Sequence, residues 1–363
     1  TTYSASLVKH IIGGNPAAPS PSVQPQVKSL TIDSDEAGQR LDNYLMRQLK
    51  GVPKTHVYRI IRSGEVRINK GRASAETRLN AGDVVRLPPV RVSERAAEKA
   101  QAMAQLAAVQ VGGHAPARDF VVLFEDEHLL AINKPAGVAV HGGSGVSFGV
   151  IEQLRMARPK VPFLELVHRL DRETSGILLV AKKRSALKNL QDQFRERETG
   201  KTYLALVSGQ WPANKKVLDK PLHKYLLPDG ERRVKVVTKD DPDGMPSLTL
   251  VKVRALSPVS QDAKGVKRAF SLLEVTIKTG RTHQIRVHLA SEGMPILGDD
   301  KYGDFEYNKA LARTAQGVAL KRMFLHAWRL QCRHPATGAP LSLQAELPEE
   351  LAQFAAHVLP PAH

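Results

Sequence analysis

The chain has 363 residues, which is long enough for two domains that each bury a hydrophobic core. It carries 53 lysines and arginines against 36 aspartates and glutamates, and its formal charge of +17 indicates a polyanionic partner. Nucleic acid is a better candidate than a membrane surface, because no apolar run approaches the ~20 residues that a spanning helix requires.

The first 28 residues contain several Pro, Ser and Gly and little periodic apolar character, so we predict a flexible leader over residues 1–28. Residues 29–92 have the pattern of a small folded domain of mixed helix and strand. Apolar residues at helical spacing predict one helix over residues 41–49, and Pro53 is well placed to open a second. Alternating residues predict strands at 65–69 and 82–87.

This small domain is also strongly basic, since residues 39–92 contain twelve Lys or Arg and only four Asp or Glu. A solvated basic face is the simplest interpretation of such a charge excess. A face that binds the phosphates of a nucleic acid is the alternative interpretation.

Residues 93–118 are rich in Ala, Glu, Lys and Gln and end in Gly and Pro, which predicts a linker that lets two domains reorient. A second, larger domain is predicted over residues 119–363. Its strand-like segments follow one another with few long helices between them, which indicates an α+β domain with a mainly antiparallel sheet. The predicted strands include 120–124, 129–133, 163–167 and 177–181, and the predicted helices are 186–197 and 349–358.

A polar turn over residues 168–176 carries a histidine, two arginines and two carboxylates between two of these apolar strands. Asp171 is the strongest catalytic candidate, because Arg169 and Arg172 flank it and cationic neighbours favour an ionised, nucleophilic carboxylate. An ordinary polar turn is the competing interpretation. A protein-kinase loop also begins with His-Arg, but Leu170 precedes the aspartate and no metal-binding motif follows.

Two later segments supply further candidates. Residues 201–207 alternate along a predicted strand that contains Tyr203, and residues 281–288 alternate along another that contains Arg286. Taken alone, Tyr203 would be a packed aromatic residue and Arg286 a solvated strand residue. If the second strand lies beside the polar turn, Arg286 could reach a carboxylate there.

The motif His168-Arg169-Leu170-Asp171, followed by Thr174-Ser175-Gly176, resembles the signature of the RluA family of RNA pseudouridine synthases. Three further segments of the same kind occur in the same order, and they are 133–137 (NKPAG), 201–203 (KTY) and 281–286 (RTHQIR). Residues 29–92 resemble the alpha-L RNA-binding domain that is named after ribosomal protein S4. The likeness covers nearly everything from about Leu30 to Pro348.

The resemblance implies a pseudouridine synthase fold, with a mixed central sheet and an RNA cleft across it. It also implies the isomerisation of uridine to pseudouridine within ribosomal RNA, without a cofactor. Residues 140–145 and 50–54 narrow the likeness to bacterial members that modify large-subunit (23S) ribosomal RNA. The expected partner is that RNA, either naked or as a precursor particle, and the expected oligomeric state is a monomer.

The roles of individual residues also come from the resemblance. Asp171 is the expected catalytic residue, acting at the anomeric carbon of a flipped-out uridine, and Arg286 is expected to pair with it. Tyr203 is expected to stack on the base and to take part in proton removal, while Arg169 fills the space that the uridine leaves. In the S4-like domain the expected RNA contacts are Arg40, Lys54, Arg59, Arg62 and Arg67.

Other kinds of site are not predicted. Cys332 is the only cysteine and the thirteen histidines show no paired ligand spacing, so we expect neither an intrachain disulfide nor a metal. The glycine-rich residues 142–145 lack the lysine of a nucleotide loop, so we expect no nucleotide cofactor. With no signal-peptide pattern, the expected location is the cytoplasm. A non-enzymatic ribosome-assembly factor and a hydrolytic RNA glycosylase remain as alternative functions.

Overall fold

The computed structural model describes residues 26–49, 52–90, 116–142, 148–314 and 317–361. The chain divides into two compact units: residues 1–32 and 39–101 form the first, and residues 33–38 and 102–363 the second. The leader predicted over residues 1–28 lies outside the described residues up to residue 25, and its last residue begins the first strand. The linker predicted over residues 93–118 lies outside them up to residue 115.

The first unit packs two helices, Leu41–Gln48 (α1) and Lys54–Arg62 (α2), against one small sheet. The sheet has the strand order β1-β4-β2-β3 and is antiparallel throughout. Its strands are β1 (Lys28–Thr31), β2 (Arg67–Ile68), β3 (Gly71–Arg72) and β4 (Val84–Leu87). The apolar stripes of both helices and the inner residues of β4 form one core, as the helical and alternating spacing in the sequence predicts.

The second unit is built on one large sheet with helices around it. The central strands are β5 (Val121–Glu125), β6 (Leu129–Lys134), β7 (Glu165–Leu166), β8 (Ser175–Ala181), β9 (Gly200–Ser208), β10 (Val217–Asp219), β13 (Leu248–Leu256), β16 (Phe270–Ile277), β17 (Leu325–Arg333) and β18 (Pro340–Gln344). Two hairpins stand apart from this sheet, and they are β11 (Leu222–Leu226) with β12 (Arg232–Val236) and β14 (Ser260–Gln261) with β15 (Lys267–Arg268). The described helices are α3 (Val150–Ala157), α4 (Arg184–Arg195), α5 (Gln284–Ser291), α6 (Phe305–Ala312) and α7 (Glu349–Val358).

The large sheet runs β10-β13-β16-β9-β17-β8-β6-β5, with β18 paired to β17 and β7 to β8. All described strand pairs in it are antiparallel except β8 with β17, where Ser175 lies opposite His326 and Gly176 opposite Ala327. The sheet is therefore mixed and mainly antiparallel, which confirms the predicted α+β class. Its one parallel pair lies where the polar turn over residues 168–174 enters β8.

The strand predicted over residues 281–288 is wrong, because Gln284–Ser291 forms the helix α5. Every residue from Gln284 to Leu289 is buried, so the helix has no polar face and no helical stripe in its sequence. Its polar side chains are satisfied inside the core: Gln284 donates to Leu248 O and Thr249, and His288 bonds Thr249 and Lys220 O. Mixed polar and apolar residues in a fully buried helix imitate the alternation of a strand.

Most of the other predicted elements of the second unit are present, with shifted ends. The strand predicted over residues 163–167 is reduced to β7, while α7 covers the predicted 349–358. The helices α3 and α6 were not predicted. Within the ranges given above, none of the helices combines the length and apolar character that a membrane span requires.

Candidate active site

Asp171 lies in the turn that joins β7 to β8, with its side chain 32% exposed. The turn is tightened by a hydrogen bond in which the amide of Thr174 donates to the carbonyl of Asp171 at 3.0 Å. A carboxylate on a short loop that enters a core strand has a fixed position and still reaches solvent, as a catalytic group must.

The buried side chain of Lys134 holds this turn by hydrogen bonds to backbone carbonyls. Its side chain is fully buried at the end of β6, and the ammonium donates to the carbonyls of Pro135 and Val138 at 2.8 Å and of Arg172 at 3.0 Å. Burial lowers the pKa of Lys134 to about 7, and three acceptors favour the ammonium form, since a neutral amine has only two N–H groups. The amide of Gly137 also donates to the carbonyl of Arg172, so the NKPAG segment fastens the residue that follows Asp171.

The far end of the turn is fastened by a buried polar chain. Ser175 bonds His326 Nδ1 at 2.7 Å, and His326 Nε2 donates to the carbonyl of Ala345 at 2.7 Å. Arg322 donates to the hydroxyl of Ser175 at 3.0 Å and to the carbonyl of Glu173 at 3.3 Å. Charged or polar side chains from distant parts of the chain therefore hold the residues that follow Asp171, from Arg172 to Ser175.

Arg286 contacts Asp171 although it stands on a helix and not on the predicted strand. Its Nη1 donates to Asp171 Oδ2 at 3.1 Å, and its side chain is only 5% exposed. The stronger contact is with Asp299, which receives Nε at 2.8 Å and Nη2 at 2.7 Å in a bidentate pair. The predicted pairing of Arg286 with Asp171 is present, but the principal partner of Arg286 is Asp299.

Asp299 is the anchor of this arrangement, with a side chain that is 1% exposed. Besides Arg286 it accepts the amides of Lys301 at 2.9 Å and Tyr302 at 3.1 Å. Burial alone would raise the pKa of Asp299, but the hydrogen bonds and charge of Arg286, together with these amides, hold it below the ordinary value. The same pairing raises the pKa of Arg286 against the opposing effect of its burial.

His283 is the second side chain that faces Asp171. Its Nε2 lies 3.9 Å from Asp171 Oδ1, and its Nδ1 lies 2.7 Å from the hydroxyl of Tyr302. That hydroxyl accepts the amide of Val234 at 3.0 Å, which ties the imidazole to the β11–β12 hairpin. Burial lowers the pKa of His283, and so do the charges of Arg286 and Lys301 against those of Asp171 and Asp299.

Tyr203 lies near the same turn, because its strand β9 is separated from β8 by β17 alone. It lies opposite Ala327 on β17, and Ala327 lies opposite Gly176 on β8, so two strand spacings of about 5 Å each separate Tyr203 from the end of the turn. Burial, and next the charge of Asp171, raises the pKa of Tyr203. The phenol is therefore neutral at physiological pH.

The other charged or titratable residues of the turn, His168, Arg169 and Arg172, have different environments from Asp171. His168 accepts the amide of Leu179 at 3.0 Å and stacks on Phe194, and burial lowers its pKa to about 3, so it is a neutral core residue. Arg172 donates to the carbonyl of Gly137 at 3.1 Å, and Arg169 is exposed. The arginine in contact with Asp171 is Arg286, whereas Arg172 pairs with Glu173 at 3.6 Å.

In the first unit, α2 presents three of the predicted RNA contacts, Lys54, Arg59 and Arg62, and all three are exposed. Arg67 on β2 is half-buried. Arg40 pairs with Asp42 at 2.8 Å, so much of its charge is already compensated within the unit.

Four residues that shape the site were not selected from the sequence, and they are Lys134, His283, Asp299 and Tyr302. Lys134 and His283 lie inside motifs that carry the family resemblance, so their position in those motifs could have indicated a role in the site. Asp299 and Tyr302 follow α5 in a segment without any repeating pattern. Only the folded chain brings them beside Arg286 and His283.

Models of known families match both parts of the chain. RNA pseudouridylate synthase matches residues 128–291, a range that contains Asp171, Tyr203 and Arg286. The S4 domain matches residues 39–85, a range that contains α1 and α2.

Complete proteins match nearly the whole chain. Ribosomal large subunit pseudouridine synthase C of Escherichia coli K12 is 51% identical over 328 residues, which cover 90% of this chain and 95% of that protein. The protein of that name from Pasteurella multocida is 50% identical over 325 residues, which cover 90% and 92%.

A solved structure is also similar. Human RNA pseudouridylate synthase domain containing 4 has a TM-score of 0.52 and 25% identity, over 73% of this chain and 99% of that one. The sequence identity to complete synthases over nine-tenths of the chain is far above what a shared fold alone requires. The chain belongs to the RluA family of RNA pseudouridine synthases, and it carries an S4 domain ahead of the synthase domain.

Proposed function

We propose that this protein isomerises specific uridines to pseudouridine in large-subunit (23S) ribosomal RNA, with Asp171 as the catalytic residue. The observation that carries the proposal is the contact of the half-exposed Asp171 with the buried Arg286, in a turn where Lys134 holds Arg172 and Arg322 holds Ser175. The relatives that are half identical over nine-tenths of the chain are named for large-subunit pseudouridine synthesis, which supports the choice of substrate.

The reaction exchanges one bond at the sugar for another. The bond from N1 of uracil to the anomeric carbon breaks, the uracil turns while it is held, and a bond from C5 to the same carbon forms. The proton that C5 loses is balanced by one that N1 gains, so the product is an isomer. No redox equivalent or energy donor is consumed.

Asp171 serves this reaction as an ionised carboxylate near the anomeric carbon. It either attacks that carbon, as carboxylates do in retaining glycosidases, or stabilises the positive charge there while a glycal forms. Both routes need a carboxylate that is charged and correctly aimed. Arg286 supports both needs, because its cation lies against Oδ2 and is itself immobilised by Asp299.

Tyr203 and Arg169 are proposed to handle the flipped nucleotide. A neutral phenol buried beside the turn is suited to stacking on the uracil, and its raised pKa argues against a role as the base that removes a proton. Arg169 is exposed next to the turn, where its long side chain can occupy the space that the uridine leaves. Unstacking the uridine costs a few kcal/mol, and such a replacement offsets part of that cost.

The S4 domain is proposed to grip the RNA by shape and phosphate contacts through the exposed cations of α2. In this proposal residues 29–92 form the RNA-binding domain, residues 93–118 the linker and residues 119–363 the synthase domain. The protein acts as a monomer, and its substrate is the naked RNA or a precursor particle.

The decisive experiment replaces Asp171 by asparagine. Pseudouridine formation on transcribed 23S RNA is expected to fall below detection, because the amide is neutral and cannot attack or stabilise a cation. RNA affinity is expected to stay within a few-fold, since phosphate contacts supply most of it. Pseudouridine is measured by chemical adduct formation and primer extension, and free uracil is measured in parallel.

Asp192→Asn is the matched control. Asp192 is exposed to a similar extent, 35% against 32%, and it also pairs with an arginine, but it lies on the surface of α4. Full activity is expected for this variant. Turnover by Asp171→Asn would exclude the catalytic role, and release of free uracil by the wild type would identify a glycosylase instead.

A further inference from the structure

His283 has an unusual backbone conformation at the point where α5 begins. Its φ of +53° is in the left-handed region, which non-glycine residues rarely adopt and which has a conformational cost. This conformation places the imidazole between Asp171 and Tyr302, and the ring of Tyr302 packs edge-on against it at 5.5 Å. A strained residue whose side chain faces a catalytic group calls for a functional explanation.

The hydrogen bonds around Tyr302 favour one of the two neutral tautomers of His283. The hydroxyl of Tyr302 accepts the amide of Val234, so its own proton is free to point at Nδ1 of His283 at 2.7 Å. When Nδ1 accepts this proton, the neutral imidazole must carry its hydrogen on Nε2. Nε2 is the atom that lies 3.9 Å from Asp171 Oδ1.

The two oxygens of Asp171 therefore have different neighbours. Oδ2 is held by Arg286 at 3.1 Å, whereas Oδ1 faces the Nε2–H of His283. With a donor on one oxygen only, the carboxylate can still rotate, because the last torsion of aspartate is broad. A second donor on Oδ1 fixes the plane of the carboxylate.

A neutral donor is better suited to this position than a second cation. Arg286 already places a cation against Asp171, although it shares this charge with Asp299, and a second cation would reduce the electron density that the reaction at the anomeric carbon needs. Burial lowers the pKa of His283, as do Arg286 and Lys301, while Asp171 and Asp299 act in the opposite direction. The net lowering keeps the imidazole uncharged at neutral pH.

We propose that His283 is a positioning residue of the reaction, whose Nε2–H, oriented by Tyr302, bonds Oδ1 of Asp171 when the uridine is bound. The inference rests on the proposed function, in which Asp171 is the catalytic residue. The distance of 3.9 Å is about 1 Å longer than a hydrogen bond, and such contacts commonly tighten in the complex with substrate.

The kinetic test compares His283→Phe with His283→Gln. Phenylalanine keeps an aromatic ring against Tyr302 but has no donor, while glutamine places an amide N–H near the position of Nε2. Neither residue favours the left-handed backbone, so strain at this position affects both variants alike. We expect His283→Phe to lower kcat about 100-fold with KM within a few-fold, and His283→Gln to recover about tenfold of that loss.

Three results would overturn the proposal: a normal kcat in His283→Phe, a change confined to KM, or equal losses of kcat in both variants. The Asp171→Asn variant, measured alongside, separates this test from the proposed function. If Asp171→Asn is inactive and His283→Phe is normal, only the role of His283 fails. If Asp171→Asn is active, the proposed function fails.

The spectroscopic test reads the tautomer directly. In protein labelled with 15N-histidine, the signals of His283 are identified by their loss in His283→Gln. The wild type is expected to show a protonated Nε2 and an unprotonated Nδ1, and Tyr302→Phe is expected to show a mixture of both tautomers. A wild-type His283 protonated on Nδ1 at neutral pH, or an unchanged tautomer in Tyr302→Phe, would overturn the orientation by Tyr302.

Discussion

Arg286 divides one guanidinium between two carboxylates of very different exposure. Asp299 is 1% exposed and receives two hydrogen bonds from it, while Asp171 is 32% exposed and receives one. The buried pair fixes the arginine, and an N–H of Nη1 is then presented to the half-exposed carboxylate. One side chain thus links a buried ion pair to the carboxylate that is proposed to be catalytic.

Arg286→Met is expected to lower the free energy of unfolding at pH 7 by about 3–5 kcal/mol, because it leaves the buried Asp299 without its main partner. The pKa of Asp299 is held below its ordinary value of 3.8, so its stabilising effect is present above that pH and fades as the pH falls. In the variant, burial raises the pKa of Asp299 instead. As the pH falls from 7 to 4, Asp299 of the variant takes up a proton and the cost of its unpaired charge disappears. The difference in free energy of unfolding between wild type and variant, measured by urea denaturation, should therefore narrow over this range.

Removal of the Asp299 carboxylate tests whether its unpaired charge causes the loss of stability in Arg286→Met. Asp299→Asn in the Arg286→Met background is expected to be less destabilising than the two single changes added together, because no unpaired buried charge remains. Asp171→Asn in the same background serves as the comparison, and it is expected to change stability little. Two results would contradict the view that the unpaired Asp299 causes the loss of stability. One is strict additivity of Arg286→Met and Asp299→Asn, and the other is a stability difference between wild type and Arg286→Met that does not change with pH.

At the scale of elements, the predictions succeeded where burial is one-sided. In the first unit, α1 and α2 have buried stripes at helical spacing, and β4 alternates between exposed and buried positions. Each of these patterns is visible in the sequence because one face of the element meets solvent.

The prediction failed at α5 because its residues from Gln284 to Leu289 are all buried, so no solvent-facing side marks the helical period. Its buried polar residues are satisfied by partners that are distant in the sequence, such as Asp299 for Arg286 and Thr249 for His288. The catalytic candidates themselves could be selected, because short motifs carry them. The residues that hold them, such as Asp299 and Tyr302, belong to no such motif and become evident only when the chain is folded.

The parallel pairing of β8 with β17 depends on a glycine at the end of the turn that contains Asp171. Gly176 has a φ of +116°, and a Cβ atom at this position would lie 2.2 Å from the carbonyl oxygen of Ala327. This backbone conformation is open essentially only to glycine. The strand pair that positions Asp171 therefore tolerates no side chain here.

Gly176→Ala is expected to destabilise the protein by more than about 3 kcal/mol and to reduce turnover in proportion to the fraction that unfolds, because β8 must move away from β17. Gly265→Ala is the matched control, since Gly265 has a φ of +76° but nothing within 4 Å of its Cβ position. That variant should lose only about 1–2 kcal/mol and keep full turnover. Thermal unfolding and single-turnover rates measure both, and equal losses in the two variants would exclude the close approach as the cause.

At the scale of the whole molecule, the lysines and arginines behind the net charge of +17 fall into two groups, those with contacts inside the protein and those that are exposed. Several cations are committed to internal contacts: Lys134 to carbonyls, Arg286 to Asp299, and Arg322 to the catalytic turn. Of the exposed cations of α2, Arg59 lies 3.6 Å from the partly exposed Glu65, and Lys54 and Arg62 take part in none of the ion pairs found among the described residues. In the proposed function these exposed cations supply the salt-sensitive part of RNA binding.

Lys54→Gln combined with Arg62→Gln is expected to weaken binding of 23S RNA and to lower the slope of log K against log salt by about two units, one for each lost phosphate contact. Lys70→Gln combined with Arg86→Gln removes the same charge from exposed positions outside α2, and Arg86 stands on the outward face of β4. If binding depended only on net charge, both pairs would lower the slope equally. Filter binding from 50 to 300 mM salt distinguishes the two cases, and an unchanged slope in the α2 variant would mean that this helix does not contact the RNA.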